Sequence, residues 1–323
     1  MYDLIAVGDA TLDVFLQLGT ANVSCDLDSH ACKLSLNYAD KIAVESATFI
    51  IGGNAANAAV GARRLGFTSA LLTTIGEDET GHKIRSVLQR EGVSTEHLSV
   101  APDQPSNYSV VLNVGAERTI LVHHVPRTYT WNIQQPPRWY YLTSMGAGFE
   151  PVYDHVVQSI CTAGCSMAYN PGTHQLHKGR DFLAPSLAAT TILFLNREEA
   201  ATLLAVPLQT GMKTLLTELH RLGPRIVVIT DGPQGAYASD GTDMLFLPVF
   251  NGPVVERTGC GDSFGVAFTA AIMEGKTLCE AMQWGNANAT SVVSYIGPQT
   301  GLLNQSAILA LIEQNRSIQP IVL

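Results

Sequence analysis

Leu4 to Val7 is a short apolar run that stops at Gly8 and Asp9, as a buried strand ending in a turn would. Comparable runs recur at 70–75, 139–142, 166–169, 191–195 and 226–230. Between them lie segments with helical periodicity, at 57–65, 81–91, 152–161, 197–204 and 213–222. Strands that are apolar on both sides and alternate with helices bury both faces, so the chain is constrained to a mainly parallel sheet covered by helices on each face. The expected class is α/β with three layers. Two stretches, 15–51 and 108–131, break this rhythm with alternating patterns such as Lys33-Leu34-Ser35-Leu36 and Ser109-Val110-Val111-Leu112, which suit half-exposed antiparallel strands. They predict a small β lid made of two insertions into one domain spanning 1–323. The last third reads as mainly helical, at 262–274, 278–295 and 306–315.

Of the 323 residues, 46% are apolar and 15% charged, enough for a developed core. Lys and Arg number 19 against 28 Asp and Glu, a formal charge of −9, and no basic run occurs. This excludes a nucleic-acid binder but not a phosphorylated ligand, because backbone N–H groups at a helix start bind phosphate without net positive charge. The six cysteines form neither a disulfide framework nor a paired zinc spacing, and the expectation is a reduced, cytoplasmic protein. Cys161 and Cys165 could share a helix face, as buried small groups rather than metal ligands. The start of the chain does not resemble a signal peptide, and no window is long and apolar enough for a membrane span.

The segment most suggestive of chemistry is Val255-Glu256-Arg257-Thr258-Gly259-Cys260-Gly261-Asp262, directly before an apolar helix. Two glycines around one small residue let consecutive N–H groups converge as an anion hole, aided by the helix dipole. Asp262 then falls in the first helical turn, either as a cap or as a general base for a hydroxyl attacking phosphorus. Beside an anion hole, the base is the favoured reading. A second cluster, Gly52-Gly53-Asn54-Ala55-Ala56-Asn57, reads as a helix-opening turn with small packing residues, or as a place where Gly53 admits a ligand and Asn54 and Asn57 offer amides to hydroxyls.

Taken together, these segments resemble the two signatures of the PfkB, or ribokinase-like, family of carbohydrate and nucleoside kinases. Gly52, Gly53, Asn57, Ala59, Gly66 and Gly76 match the first, and Gly259 to Asp262 the second. The resemblance spans nearly the whole chain and implies a ribokinase-like fold, in which a parallel-sheet domain carries a β lid over the sugar. It implies Asp262 as base, with Gly259, Cys260 and Gly261 forming the anion hole. Asp13, Gly53, Asn54, Asn57 and, in the lid, Arg118 are implied as substrate contacts. For the nucleotide it implies Asn196 and Glu199, organising magnesium through water, then Thr230, Gly232 and Gly235 at the phosphates, and Asn286 near adenine. By pattern alone Asn196 and Glu199 also make a capping box, Asp13 is a strand-end carboxylate, and Arg118 is an exposed strand arginine.

Two departures from the family pattern stand out. Glu256 and Arg257 occupy the usual Asp-Thr, and Cys260 replaces Ala. The aspartate in that slot helps hold a monovalent cation in many relatives, so Glu256 puts potassium in doubt, since an ion pair with Arg257 would displace it. The implied cofactors are ATP and Mg2+, with K+ open. The implied activity is ATP-dependent phosphorylation of a hydroxymethyl group on a small sugar or sugar acid. A nucleoside kinase of the same fold is the alternative, with Phe15, Tyr38 or Tyr108 available to stack on a base or to pack the lid. A non-catalytic sugar sensor would not need Asp262, and a nicotinamide enzyme lacks its GxGxxG turn after the first strand. The lid strands would also allow a homodimer through the lid.

Overall fold

Every residue of β1 (Leu4–Val7) is buried, with Leu4 and Ala6 in one core and Ile5 and Val7 in another on the opposite face. That division follows from a central strand, whose side chains alternate between two covered faces. The computed structural model describes residues 1–19, 22–26, 31–115 and 117–323.

Just beyond β1 the chain enters a second sheet. Its strands are β2 (Thr11–Leu18), β5 (Val44–Gly52), β8 (Tyr108–Val114) and β9 (Glu117–His123), in the order β5-β2-β8-β9. A hairpin of β3 (Asn22–Asp26) and β4 (Ala31–Ser35) separates β2 from β5. Helix α1 (Asn54–Arg64) returns the chain to β6 (Ser69–Gly76), α2 (Glu79–Arg90) and β7 (Leu98–Ala101). After β9 follow β10 (Trp139–Thr143), α3 (Glu150–Ala163), β11 (Ser166–Asn170), α4 (Thr173–Leu176) and α5 (Arg180–Ala189). Next come β12 (Ile192–Asn196), α6 (Arg197–Leu204), α7 (Met212–His220) and β13 (Ile226–Thr230). The chain ends with β14 (Ala236–Ser239), β15 (Met244–Leu247), α8 (Cys260–Met273), α9 (Leu278–Val292), α10 (Gln305–Gln314) and β16 (Ile321–Val322).

Among the described residues the main sheet runs β16-β15-β14-β13-β12-β11-β10-β1-β6-β7. It is parallel from β7 to β13 and antiparallel from β13 to β16. Side chains of α1, α2, α8, α9 and α10 fill the core on one face, and those of α3, α5, α6 and α7 the core on the other. This is the three-layer α/β arrangement that the alternating runs predict. Helix α1 is buried continuously over 55–62 because it lies between the sheet and α8. The approach is close enough that a methyl on Gly61 would strike Val266.

Several expectations need correction. The second sheet begins at Thr11 rather than 15, and 124–131 is irregular, with Tyr129 packed into the core of the main sheet. Helix α5 was hidden by Pro185 within it, β14 by its small and polar residues, and β15 was not recognised despite its apolar run. Cys32 is disulfide-bonded, so the cysteines are not uniformly reduced, whereas Cys161, Cys165, Cys260 and Cys279 are free. No helix among the described residues is long and apolar enough to cross a membrane.

Candidate active site

The C-terminal ends of β1, β11, β12 and β13 and the N-termini of α1 and α8 open onto one cavity of about 850 Å³, walled on its other side by the second sheet. Parallel sheets place their ligands at this edge, because every crossover there leaves a loop or a helix start facing the same way.

At the head of α8, Gly259 is left-handed, with φ of 77°, and a side chain there would overlap Pro298. Only glycine suits both constraints. The turn delivers Cys260, Gly261 and Asp262 into the first turn of the helix, where N–H groups have no intrahelical acceptors. Burial pushes the Cys260 thiol up to about 11, so this cysteine is a neutral spacer rather than a nucleophile. Asp262 is buried, and its Oδ2 accepts a 2.8 Å hydrogen bond from the Asn57 carboxamide. Burial, aided by the charge of Asp13, pushes the Asp262 carboxyl up to about 6, and the Asn57 hydrogen bond opposes this.

On β2, buried Asp13 accepts a 2.8 Å hydrogen bond from the Thr11 hydroxyl, and burial raises its pKa. The neighbouring position on β5 must be Gly52, since a methyl there would occupy the space of this carboxylate. Asp9, immediately after β1, is 2% exposed. Its Oδ1 accepts from the Tyr129 hydroxyl at 2.8 Å, and its Oδ2 lies 3.2 Å from His124 Nδ1. Gly53, with φ of 90°, caps α1 and lines the cavity beside Asn54.

At the other end, Asn196 and Glu199 form a reciprocal capping box on α6, each backbone N–H donating to the other's side chain at 2.8 Å. Burial, together with the charges of Asp262 and Glu198, raises the Glu199 carboxyl despite that hydrogen bond. Thr230, Gly232 and Gly235 line the turn after β13. Asn286 accepts from the Phe250 N–H at 3.2 Å and donates to the Pro248 carbonyl at 2.7 Å, fixing a loop that walls this end.

Thus the structure brings Asp13, Gly53, Asn54, Asn57, Arg118, Asn196, Glu199, Thr230, Gly232, Gly235, Gly259, Cys260, Gly261, Asp262 and Asn286 to one cavity, but not Glu256. Asn57 spends its carboxamide on Asp262 and on Gln299, rather than holding it free for hydroxyls. Glu256 does not pair with Arg257. Its Oε1 accepts from the Thr258 N–H and hydroxyl, at 2.8 and 2.6 Å, and lies 3.6 Å from Arg118 Nε. Arg257 reaches Glu117 on β9 at 2.9 Å. Glu256 Oε1 thus already faces Thr258 and a guanidinium, while its buried Oε2 has no hydrogen-bond partner, and a monovalent cation there would compete with Arg118. Glu199 suits a magnesium–phosphate assembly better: it lines the same cavity as Asp262, whose charge raises the Glu199 carboxyl, and a divalent ion there would offset that charge.

Of the aromatic residues considered for base stacking, Phe15 is buried, Tyr38 is fully exposed and Tyr108 packs on His123. None lines the cavity. Sequence reasoning missed Asp9, Ser109, His124 and Asn170, which do. Asp9 carried a signal, being a carboxylate directly after a buried strand. Ser109 and His124 carried none, because the packing of the second sheet over the first brings them here.

The family model described as pfkB family carbohydrate kinase matches residues 16–305. The ribokinase of Bacillus subtilis (strain 168) is 26% identical over 267 residues, covering 81% of this chain and 87% of that protein. The structure of Arabidopsis thaliana ribokinase complexed with ribose and ATP aligns with TM-score 0.79 at 20% identity, covering 97% of this chain and 99% of that one. A Burkholderia thailandensis nucleoside kinase in complex with inosine aligns with TM-score 0.76 at 17% identity, covering 98% and 100%. With the family model matching most of its length on a ribokinase-like fold, this chain belongs to the pfkB family of carbohydrate kinases and carries that family's general phosphotransferase class.

Proposed function

We propose that the protein transfers the terminal phosphoryl group of ATP to a hydroxymethyl group of a small neutral sugar, with Asp262 as general base and the second sheet closing over the substrate as a lid of one kinase domain. The observation that carries this is the placement of a buried carboxylate, held by Asn57, at the N-terminus of α8, in a cavity it shares with Asp13 and Glu199. Asp262 takes the hydroxyl proton as the oxygen attacks phosphorus, and the N–H groups at 259–262 face the charge on the transferred group. Asp9 and Asp13 offer carboxylate oxygens to sugar hydroxyls. Glu199 and Asn196 would hold magnesium through water, and that ion supplies charge neutralisation on the phosphates.

A neutral substrate is favoured over a sugar acid or sugar phosphate because each arginine at this end already has a carboxylate or carbonyl nearby. Arg118 faces Glu256, Arg257 faces Glu117, His124 faces Asp9, and Arg127 is spent on the carbonyls of Thr74, Val125 and Pro105 and on Asn107. A nucleoside is the second reading, supported by Val111, Ile120 and Val122, an apolar wall on the second sheet that suits a base. ADP release with ribose, fructose, adenosine, inosine and fructose 6-phosphate separates these. Turnover of a neutral sugar carries the proposal, turnover of the nucleosides alone transfers it to the second reading, and preference for the phosphorylated sugar overturns both.

Two further outcomes are expected. Exchanging potassium for tetramethylammonium at constant ionic strength should change kcat by less than about twofold, given the guanidinium beside Glu256. A base must be ionised, so kcat/KM should fall on the acid side with a midpoint near the Asp262 value of about 6, losing roughly tenfold per unit below it. A steady-state pH profile checks the second.

A further inference from the structure

Gln299 belongs to the segment between α9 and α10 and is 5% exposed. Its Nε2 donates to Asn57 Oδ1 at 3.0 Å, and Asn57 Nδ2 donates onward to Asp262 Oδ2 at 2.8 Å. The chain Gln299 to Asn57 to Asp262 is buried at all three residues. Its direction has a physical cause. An ionised carboxylate only accepts, so Asn57 must turn its NH2 towards Asp262, and its carbonyl oxygen then needs a donor behind it. Gln299 is that donor. Arg64, seven residues beyond Asn57 on α1 and so on the same helix face, holds the Gln299 carbonyl oxygen at 2.7 Å. One helix therefore grips both the side chain and the backbone of Gln299. The preceding residue, Pro298, is the one that a side chain at Gly259 would strike, so the 297–299 segment buttresses the anion turn as well as the base.

We infer that Gln299 is a positioning residue that fixes the direction of the Asn57 carboxamide and thereby keeps Asp262 in its ionised, proton-accepting form. This rests on the reading of Asp262 as the base. Were Asn57 free to rotate, it could accept a proton from a neutral Asp262 as readily as donate to an ionised one, and the protonated form would gain. Asn57 is the group that lowers the Asp262 pKa. The groups that face Asp262 are Asp13 from β2, Glu199 from α6, Tyr141 from β10 and Cys260 from the head of α8, and the guanidinium groups of Arg118 and Arg257 line the same cavity, paired with Glu256 and Glu117.

Gln299→Glu keeps the shape and reverses the polarity: a carboxylate at 299 takes the Asn57 NH2 and leaves the carbonyl oxygen facing Asp262. The Asp262 titration midpoint should rise by about one unit, and ADP release with the acceptor turned over best should fall roughly fivefold at pH 6, approach about a tenfold loss below it, and recover in alkali. Gln299→Met, which removes the donor without adding charge, should shift the same midpoint by a smaller amount in the same direction. The midpoint is read in the free protein from the carboxyl carbon resonance that disappears in Asp262→Asn, so the measurement needs no substrate. A midpoint in the folded variants within about 0.3 units of wild type overturns the inference. If Gln299→Glu does not fold, Gln299→Met alone decides by the same criterion. Undiminished turnover by Asp262→Asn would instead remove the base assignment, whatever Gln299 does.

Discussion

Asp262→Asn is expected to lower kcat by at least about a thousandfold while nucleotide affinity, measured by calorimetry, stays within roughly threefold of wild type. The substitution preserves volume and the position at the head of α8 but removes the proton acceptor. It should also stabilise the fold. The Asp262 carboxyl sits at about 6 in the folded protein, above the 3.8 usual for an aspartate, so the folded state binds its proton more tightly than the unfolded chain does. Stability therefore declines as pH rises from the unfolded value through the folded one, and above about pH 6 the full penalty for holding a buried charge is present. Removing that charge should return on the order of 3 kcal/mol at pH 8 and little at pH 3. A melting temperature that rises at pH 8 while turnover collapses would fit a carboxylate kept for chemistry at the expense of stability. Undiminished turnover would dispose of the base assignment.

Gly259→Ala should be the most damaging of the glycine substitutions in the anion turn. A methyl there meets Pro298 and must be carried at a φ of 77°. Left-handed backbone costs about 1–2 kcal/mol for alanine, and the overlap adds about 1–3 kcal/mol. Whatever folds would carry a displaced turn, so kcat should drop on the order of a hundredfold. Gly261→Ala is the contrasting case, because nothing lies within 4 Å of the added methyl and its backbone is helical. Its thermal stability should equal or slightly exceed that of wild type. Equal losses of stability in the two variants would show that the Pro298 contact does not hold the turn.

Much of the fold was legible because burial leaves a local signature. The strands buried on both faces show as continuous apolar runs, and β1, β10 and β11 lie within a residue or so of where such runs place them. Helix α6 starts and stops at the residues its periodicity and its Asn196 cap dictate. The failures have local causes too. Pro185 interrupts the pattern of α5, and β14, Ala236-Tyr237-Ala238-Ser239, offers small and polar residues in place of a branched apolar run. The second sheet was seen as alternation but with its start misplaced, because Thr11 and Leu12 continue the chain from Gly8 with no polar break long enough to mark a change of sheet.

For the site, sequence could specify the groups that make their own geometry. Gly259, Gly261 and Asp262 lie within one turn, and Asn196 with Glu199 close a local capping box, so spacing alone defines their relation. It could not specify pairs made across the fold. Arg118 and Glu256, Glu117 and Arg257, and His124 and Asp9 meet because the second sheet packs against the edge of the first. Asn57 turned out to serve Asp262 because α1 packs on α8, and Gln299 joined them because α1 also grips the last loop. The amino-acid order by itself determined a three-layer α/β chain of the pfkB family with a glycine turn and a carboxylate together at one helix start, since those depend on residue type and short spacing. Which side chains remain free for a ligand, and which are consumed by one another, was decided only by the tertiary structure, because a hydrogen bond between residues hundreds apart is set by helix and sheet packing.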